Sequence, residues 1–117
     1  MRKLLALIFA VVASGAAMAQ TPSPGPAFEN GNDLYRYLTA TATPLTLIGI
    51  AYIAGVADAG SSGIPMLGGW RFCLQLGITK TQLADVVKVW LEQHPEKRHY
   101  AAANLVAQAF EGAFPCK

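Results

Sequence analysis

Leu83, Val86, Val87, Trp90 and Leu91 recur at the three- and four-residue spacing of one helix face, while Lys80, Asp85, Lys88 and Glu92 fall off it. This is the clearest amphipathic pattern in the chain, and it predicts a helix from about Lys80 to Gln93. Thr79 and Gln82 form a capping box in front of it, each side chain covering a backbone donor left free at a helix start. Pro95 ends it, because the residue before a proline is pushed out of helical geometry. A further helix follows from His94 or Pro95 through PEKRHYAAANLVAQAFEGAF, with Ala102, Leu105, Val106, Ala109, Phe110 and Ala113 facing inward. Its alanines allow the last two helices to pack closely as an antiparallel pair, joined by a tight turn at His94-Pro95.

The front half has a different pattern. Asn32 serves as an N-cap and Asp33 as a first-turn charge for a short helix with Leu34, Tyr37 and Leu38 inside. Thr43 followed by Pro44 then opens a helix from Pro44 to about Ala59, with Gly60 as its stop. In PLTLIGIAYIAGVADA one stripe is Leu45, Ile48, Tyr52, Ile53 and Val56, and Leu47, Ile50, Ala51 and Ala54 cover most of the remainder. A helix apolar nearly all round belongs in a core or an interface. Its roughly fourteen apolar residues fall short of a bilayer span. Gly49 and Gly55 allow a neighbouring helix to come close. Ile50, Tyr52 and Ile53 would also suit a strand, but no turn interrupts the segment.

Between these halves lies GSSGIPMLGGW, residues 60–70, the longest stretch without periodicity, where glycines bracket an apolar tip. The tip either packs on its own domain or meets a partner. The candidate partner-binding residues are therefore Ser61, Ser62, Gly63, Ile64, Pro65, Met66, Leu67 and Trp70. The stretch is no phosphate cradle, because the glycines are not followed by the lysine and hydroxyl that such a loop needs.

Met1 to Gln20 changes the setting. Arg2 and Lys3, an apolar run from Leu4 to Val12, and small residues ending in Ala17-Met18-Ala19 have the layout of a secretory signal peptide cut after Ala19. A membrane anchor is the competing expectation, opposed by the weakening of the run at Ser14 and Gly15. The chain then divides into a signal peptide (1–19), a flexible proline-rich lead (20–27) and one helical domain (28–117), located in the periplasm. Loss of Arg2 and Lys3 reduces 9 basic residues to match the 7 acidic ones, so the net charge of +2 belongs to the signal. The exported part is nearly neutral and carries no basic stripe for nucleic acid or anionic lipid.

Export also decides the sulfur chemistry. Cys73 and Cys116, the chain's 2 cysteines, are most simply one disulfide in an oxidising compartment. Closing a loop of roughly 44 residues contributes about 4 kcal/mol by chain entropy. The alternative is a reactive cysteine paired with His94 or His99. The fold class is all-α, a small bundle of four to five helices with one disulfide. His94, Glu96 and His99 straddle a proline-initiated helix start without a third ligand on one face, so no metal is expected. Asp58 and Glu29 are single carboxylates, Ser61-Ser62 has no neighbouring base, and no nucleophile motif occurs. Neither cofactor nor catalytic site is expected; the residues describe an exported binding protein.

Three stretches together resemble the Tai/Rap family of periplasmic immunity proteins. They are Phe28 to Leu34 (FENGNDL), Ala51 to Ala59 (AYIAGVADA), and Phe72-Cys73 followed through Gly77-Ile78-Thr79, Gln82, His94-Pro95-Glu96 and His99 to Ala113-Phe114-Pro115-Cys116. The resemblance implies a small helical fold, frequent homodimers, and inhibition of a cognate type VI secretion peptidoglycan amidase by a segment that occludes its cleft. Residues 61–69 suit that segment through their glycines and apolar tip. Two features depart from the family: no second cysteine pair occurs between Tyr37 and Tyr52, and Gln75 stands where many members have proline soon after the first conserved cysteine. The alternative function is a small periplasmic acid-stress chaperone or adaptor, also helical and once-bridged.

Overall fold

Asn30 opens the first helix, α1 (Gly31–Thr39), in a computed structural model that describes residues 27–61 and 69–117. The expected signal peptide, most of the proline-rich lead and residues 62–68 lie outside that range. The Asn30 side chain accepts the backbone N–H groups of Asn32 and Asp33 at 2.9 and 3.1 Å, and Asp33 accepts the Asn30 N–H at 3.3 Å. The cap is thus two residues earlier than the expected Asn32. Only from Asn30 does Asp33 fall at the third helical position and close a capping box.

The Gly31 N–H looks elsewhere, and that of Asn32 is shared between the cap and a second acceptor. Gly31 donates to the Tyr100 carbonyl at 3.0 Å and Asn32 to that of Arg98 at 2.9 Å, while Ala102 donates back to Glu29 at 3.0 Å. Gly31 is buried here, and a Cβ on it would sit 2.8 Å from the Arg98 backbone and clash with Leu105. Glycine is needed at this position for close approach. Leu34 and Leu38 complete the inner face, and Tyr37 is half-buried.

The second helix, α2, spans Thr43–Ser61. The Ala42 carbonyl accepts Leu45 and Thr46 N–H groups at 3.2 and 3.3 Å, so the helix begins before the expected Thr43 cap and Thr43 lies inside it. Gly60 does not end the helix either. Its Cα faces the Phe72 ring so closely that a Cβ would overlap the ring atoms, which explains a glycine without any stop. Ile53 and Ala57 reach the core, and Gly49 lies against Leu38 and Tyr37 of α1. The burial follows the four-residue row through Gly49, Ile53 and Ala57, where small side chains let α1 approach. The expected stripe is therefore rotated: Leu45 and Ile48 are 39% and 50% exposed, and Leu47 57%. By length and mean hydropathy, 1.3, α2 also passes for a membrane span. It packs instead on α1 and on the two later helices.

Helix α3 (Lys80–Gln93) starts at the expected box, with Gln82 N–H to Thr79 Oγ1 at 3.2 Å and Thr79 N–H to Gln82 Oε1 at 2.8 Å. Leu83, Ala84, Val87 and Leu91 are buried on it. Then the expected continuous last helix divides. Pro95–Lys97 is a single 3-10 turn, and α4 runs only over Ala102–Ala113. The Arg98 and Tyr100 carbonyls and the Ala102 N–H bond to the start of α1, and Asn30 and Ala101 form an isolated antiparallel bridge. A segment whose backbone is committed to α1 cannot also propagate a helix. Arg98 holds the bend, its Nε donating to the Leu91 carbonyl at 2.7 Å and its guanidinium lying 3.8 Å from the Tyr35 ring centre. On α4, Ala102, Leu105, Val106, Ala109 and Phe110 are buried as expected, whereas Ala113 at its end is exposed.

The architecture is all-α. Leu34, Ile53, Val87, Leu91, Leu105, Val106 and Phe110 form the fully buried centre, each worth roughly 1.5–3 kcal/mol of burial. The Cys73–Cys116 disulfide joins residues 43 apart in sequence and ties the connector before α3 to the end of α4.

Candidate partner-binding surface

The expected contact segment springs from a neck formed by the ends of α2 and the connector. Ser61 is the exposed last residue of α2, and Trp70 is half-buried against the core. Ser62, Gly63, Ile64, Pro65, Met66 and Leu67 lie outside the described residues. Between them in the fold lies Phe72, which is buried, has the tip of its ring against Gly60 and meets Phe110 edge-on at 5.2 Å. The end of α2 and the connector therefore meet where Gly60 and Phe72 touch.

The connector is fastened to α4 at successive residues. Arg71 N–H donates to Glu111 Oε2 at 2.9 Å, Cys73 N–H donates to the Phe114 carbonyl at 2.8 Å, and the disulfide follows at Cys73 itself. Beside this seam is an open depression of about 420 Å³ lined by Gly69, Arg71, Glu111, Pro115, Cys116 and Lys117. Its rim combines two cations and a carboxylate next to the neck. Arg71 and Glu111 carry no sequence motif; the signal that could have found them is the disulfide, which brings the residues preceding Cys73 alongside the end of α4.

The remaining candidate chemistry is structural. Both cysteines are engaged, which removes the reactive-cysteine alternative. His94 caps α3, with Nδ1 2.7 Å from the Trp90 carbonyl and its ring stacked on Trp90 at 4.1 Å. His99 lies against Tyr100 at 4.1 Å. No group of three or more metal-ligating side chains occurs among the described residues. Glu29 accepts the Tyr37 hydroxyl at 3.2 Å. Burial pushes the Tyr52 phenol above its ordinary range, a backbone hydrogen bond with Ala103 opposes this, and the Glu29 charge adds to it.

A once-bridged helical domain whose polar groups serve caps and clasps, and which offers a pinned neck and an apolar helix face to solvent, is built to present surface. The profile of the Rap1a immunity proteins matches residues 30–116, and the chain belongs to that family. The match begins at the Asn30 cap and ends at Cys116, so it encloses every element described above. A search of curated proteins finds no match.

Proposed function

We propose that this protein is a periplasmic, non-enzymatic immunity protein that binds and inhibits a cognate peptidoglycan amidase delivered by type VI secretion. Membership of the Rap1a immunity family across the whole helical domain carries the reading. The amidase as target comes from the resemblance of the three sequence stretches, and the compartment from the signal-like Met1 to Ala19 and the disulfide. Residues 61–69 are the inhibitory segment, and the neck at Gly60 and Phe72 fixes where it leaves the domain. A fixed neck limits the entropy lost when the segment enters a cleft. We take the functional unit to be a homodimer, as the resemblance implies.

The test mixes the chain lacking residues 1–19 with the product of the gene beside its own, expected to be a secreted peptidoglycan amidase. Stoichiometric complex formation and loss of peptidoglycan hydrolysis are expected. Deleting residues 63–67 should abolish inhibition while the helical signal of the domain persists. Full inhibition by that deletion would move the inhibitory contact elsewhere on the surface.

A further inference from the structure

We propose that the Cys73–Cys116 disulfide is a thiol-exchange site in the folded domain: a protein dithiol of the Cys-x-x-Cys class reduces it without melting the helices and frees the tail after Phe114. Both cysteines are exposed. Cys116 also lines the open depression beside the neck, which gives an attacking thiolate a path to its sulfur. A bridge enclosed in a core is shielded until the domain opens, whereas at an exposed bridge the attacking thiol sets the rate.

The connector does not depend on the bridge for its place. Arg71 N–H donates to Glu111 Oε2 at 2.9 Å, Cys73 N–H donates to the Phe114 carbonyl at 2.8 Å, and Phe72 is buried against Phe110. Phe114 is itself half-buried, its ring edge-on to Phe110 at 5.9 Å. None of these contacts uses sulfur, so the connector stays on α4 when the bond between the cysteines breaks. The tail differs. Pro115, Cys116 and Lys117 are exposed, lie beyond the end of α4 at Ala113, and form one wall of the depression. Reduction therefore takes away that wall and leaves the neck where it is.

The exchange has two steps. A thiolate of the dithiol attacks Cys116 Sγ, forming a mixed disulfide as the bond to Cys73 breaks, and Cys73 leaves as a thiolate that takes a proton from water. The second thiolate of the dithiol then attacks the dithiol's own sulfur in that mixed disulfide, and Cys116 leaves as a thiolate and is protonated in turn. Two electrons pass to the bridge, and the dithiol becomes a disulfide. The reverse steps close the bridge again, with the Cys73 to Phe114 bond keeping Cys73 beside the root of the tail.

The experiment uses the oxidised, folded chain lacking residues 1–19, with dithiothreitol as the dithiol and N-ethylmaleimide as the quench. The rate of reduction should be proportional to dithiothreitol. Below the unfolding transition it should change less than about twofold per molar urea, where a rate gated by global unfolding rises about fivefold or more. That steeper dependence overturns the proposal. The reduced chain should keep its helical signal and the slow hydrogen exchange of the Cys73 amide; loss of the helical signal on reduction overturns the local release of the tail. Reduced thioredoxin should open the bridge as well. Failure of thioredoxin where dithiothreitol succeeds confines the site to small thiols and overturns the assignment to a protein dithiol. Brief exposure to glutathione before the quench should leave glutathione on Cys116 and maleimide on Cys73. The opposite labelling puts the attack on Cys73 and overturns the part given to the depression.

Discussion

Gly31 carries more of the fold than its size suggests, because the start of α1 and the Arg98 backbone meet across it. Gly31→Ala should destabilise the domain by roughly 1–3 kcal/mol in urea unfolding, since neither backbone nor Leu105 has room to yield. Alanine at Asn30 removes a capping acceptor and should cost about 1 kcal/mol. Tyr52 gives a pH signature. Its folded-state pKa lies above the ordinary 10.0, chiefly through burial. Its contribution is complete below that ordinary value and is lost as pH rises through the higher folded value, because the unfolded chain ionises first. Tyr52→Phe should therefore flatten the fall in melting temperature above pH 10. The glycines show where single residues resist sequence reading. Gly60 reads as a helix stop, yet its role is to admit the Phe72 ring from a connector twelve residues away. Spacing along the chain carries no trace of such a neighbour.

Among the elements, α3 is the most legible because its box and its apolar face are both local. The start of α4 is not, since the carbonyls of Arg98 and Tyr100 are claimed by α1, some 70 residues earlier in the chain. Those bonds also anchor the N-terminal half that lacks a second cysteine pair. Arg98→Ala should loosen the bend and cost about 1–3 kcal/mol by removing a charged hydrogen bond and a stacked guanidinium. Chemical denaturation read at Trp90, which also stacks with His94 near this bend, follows that loss. The rotation of the α2 stripe has a similar origin. Composition announces a helix apolar on all sides, but which side goes inward depends on Gly49 lying against α1.

For the molecule as a whole, the disulfide was legible from the signal-like start of the chain and the cysteine count, and it organises the surface next to it. Reduction should lower stability by about 4 kcal/mol if chain entropy dominates, measured as a shift in the urea midpoint with and without reductant. The Cys73 N–H to Phe114 bond and the Phe72 packing do not involve the sulfur atoms. The neck should accordingly keep its place in any reduced protein that stays folded. The depression lined by Arg71, Glu111 and Lys117 was invisible in sequence because its members lie some 40 residues apart and meet only in the folded chain. Helical content and the cysteine bridge were thus readable from composition and periodicity, while the shape of the candidate surface required the tertiary fold.

Inhibition of a peptidoglycan amidase effector is the most direct test of the central claim. Titrating the chain without residues 1–19 into the amidase encoded with it, if the proposal holds, should give complete, stoichiometric loss of peptidoglycan-fragment release. Undiminished hydrolysis at an excess of folded, disulfide-intact protein would contradict the account.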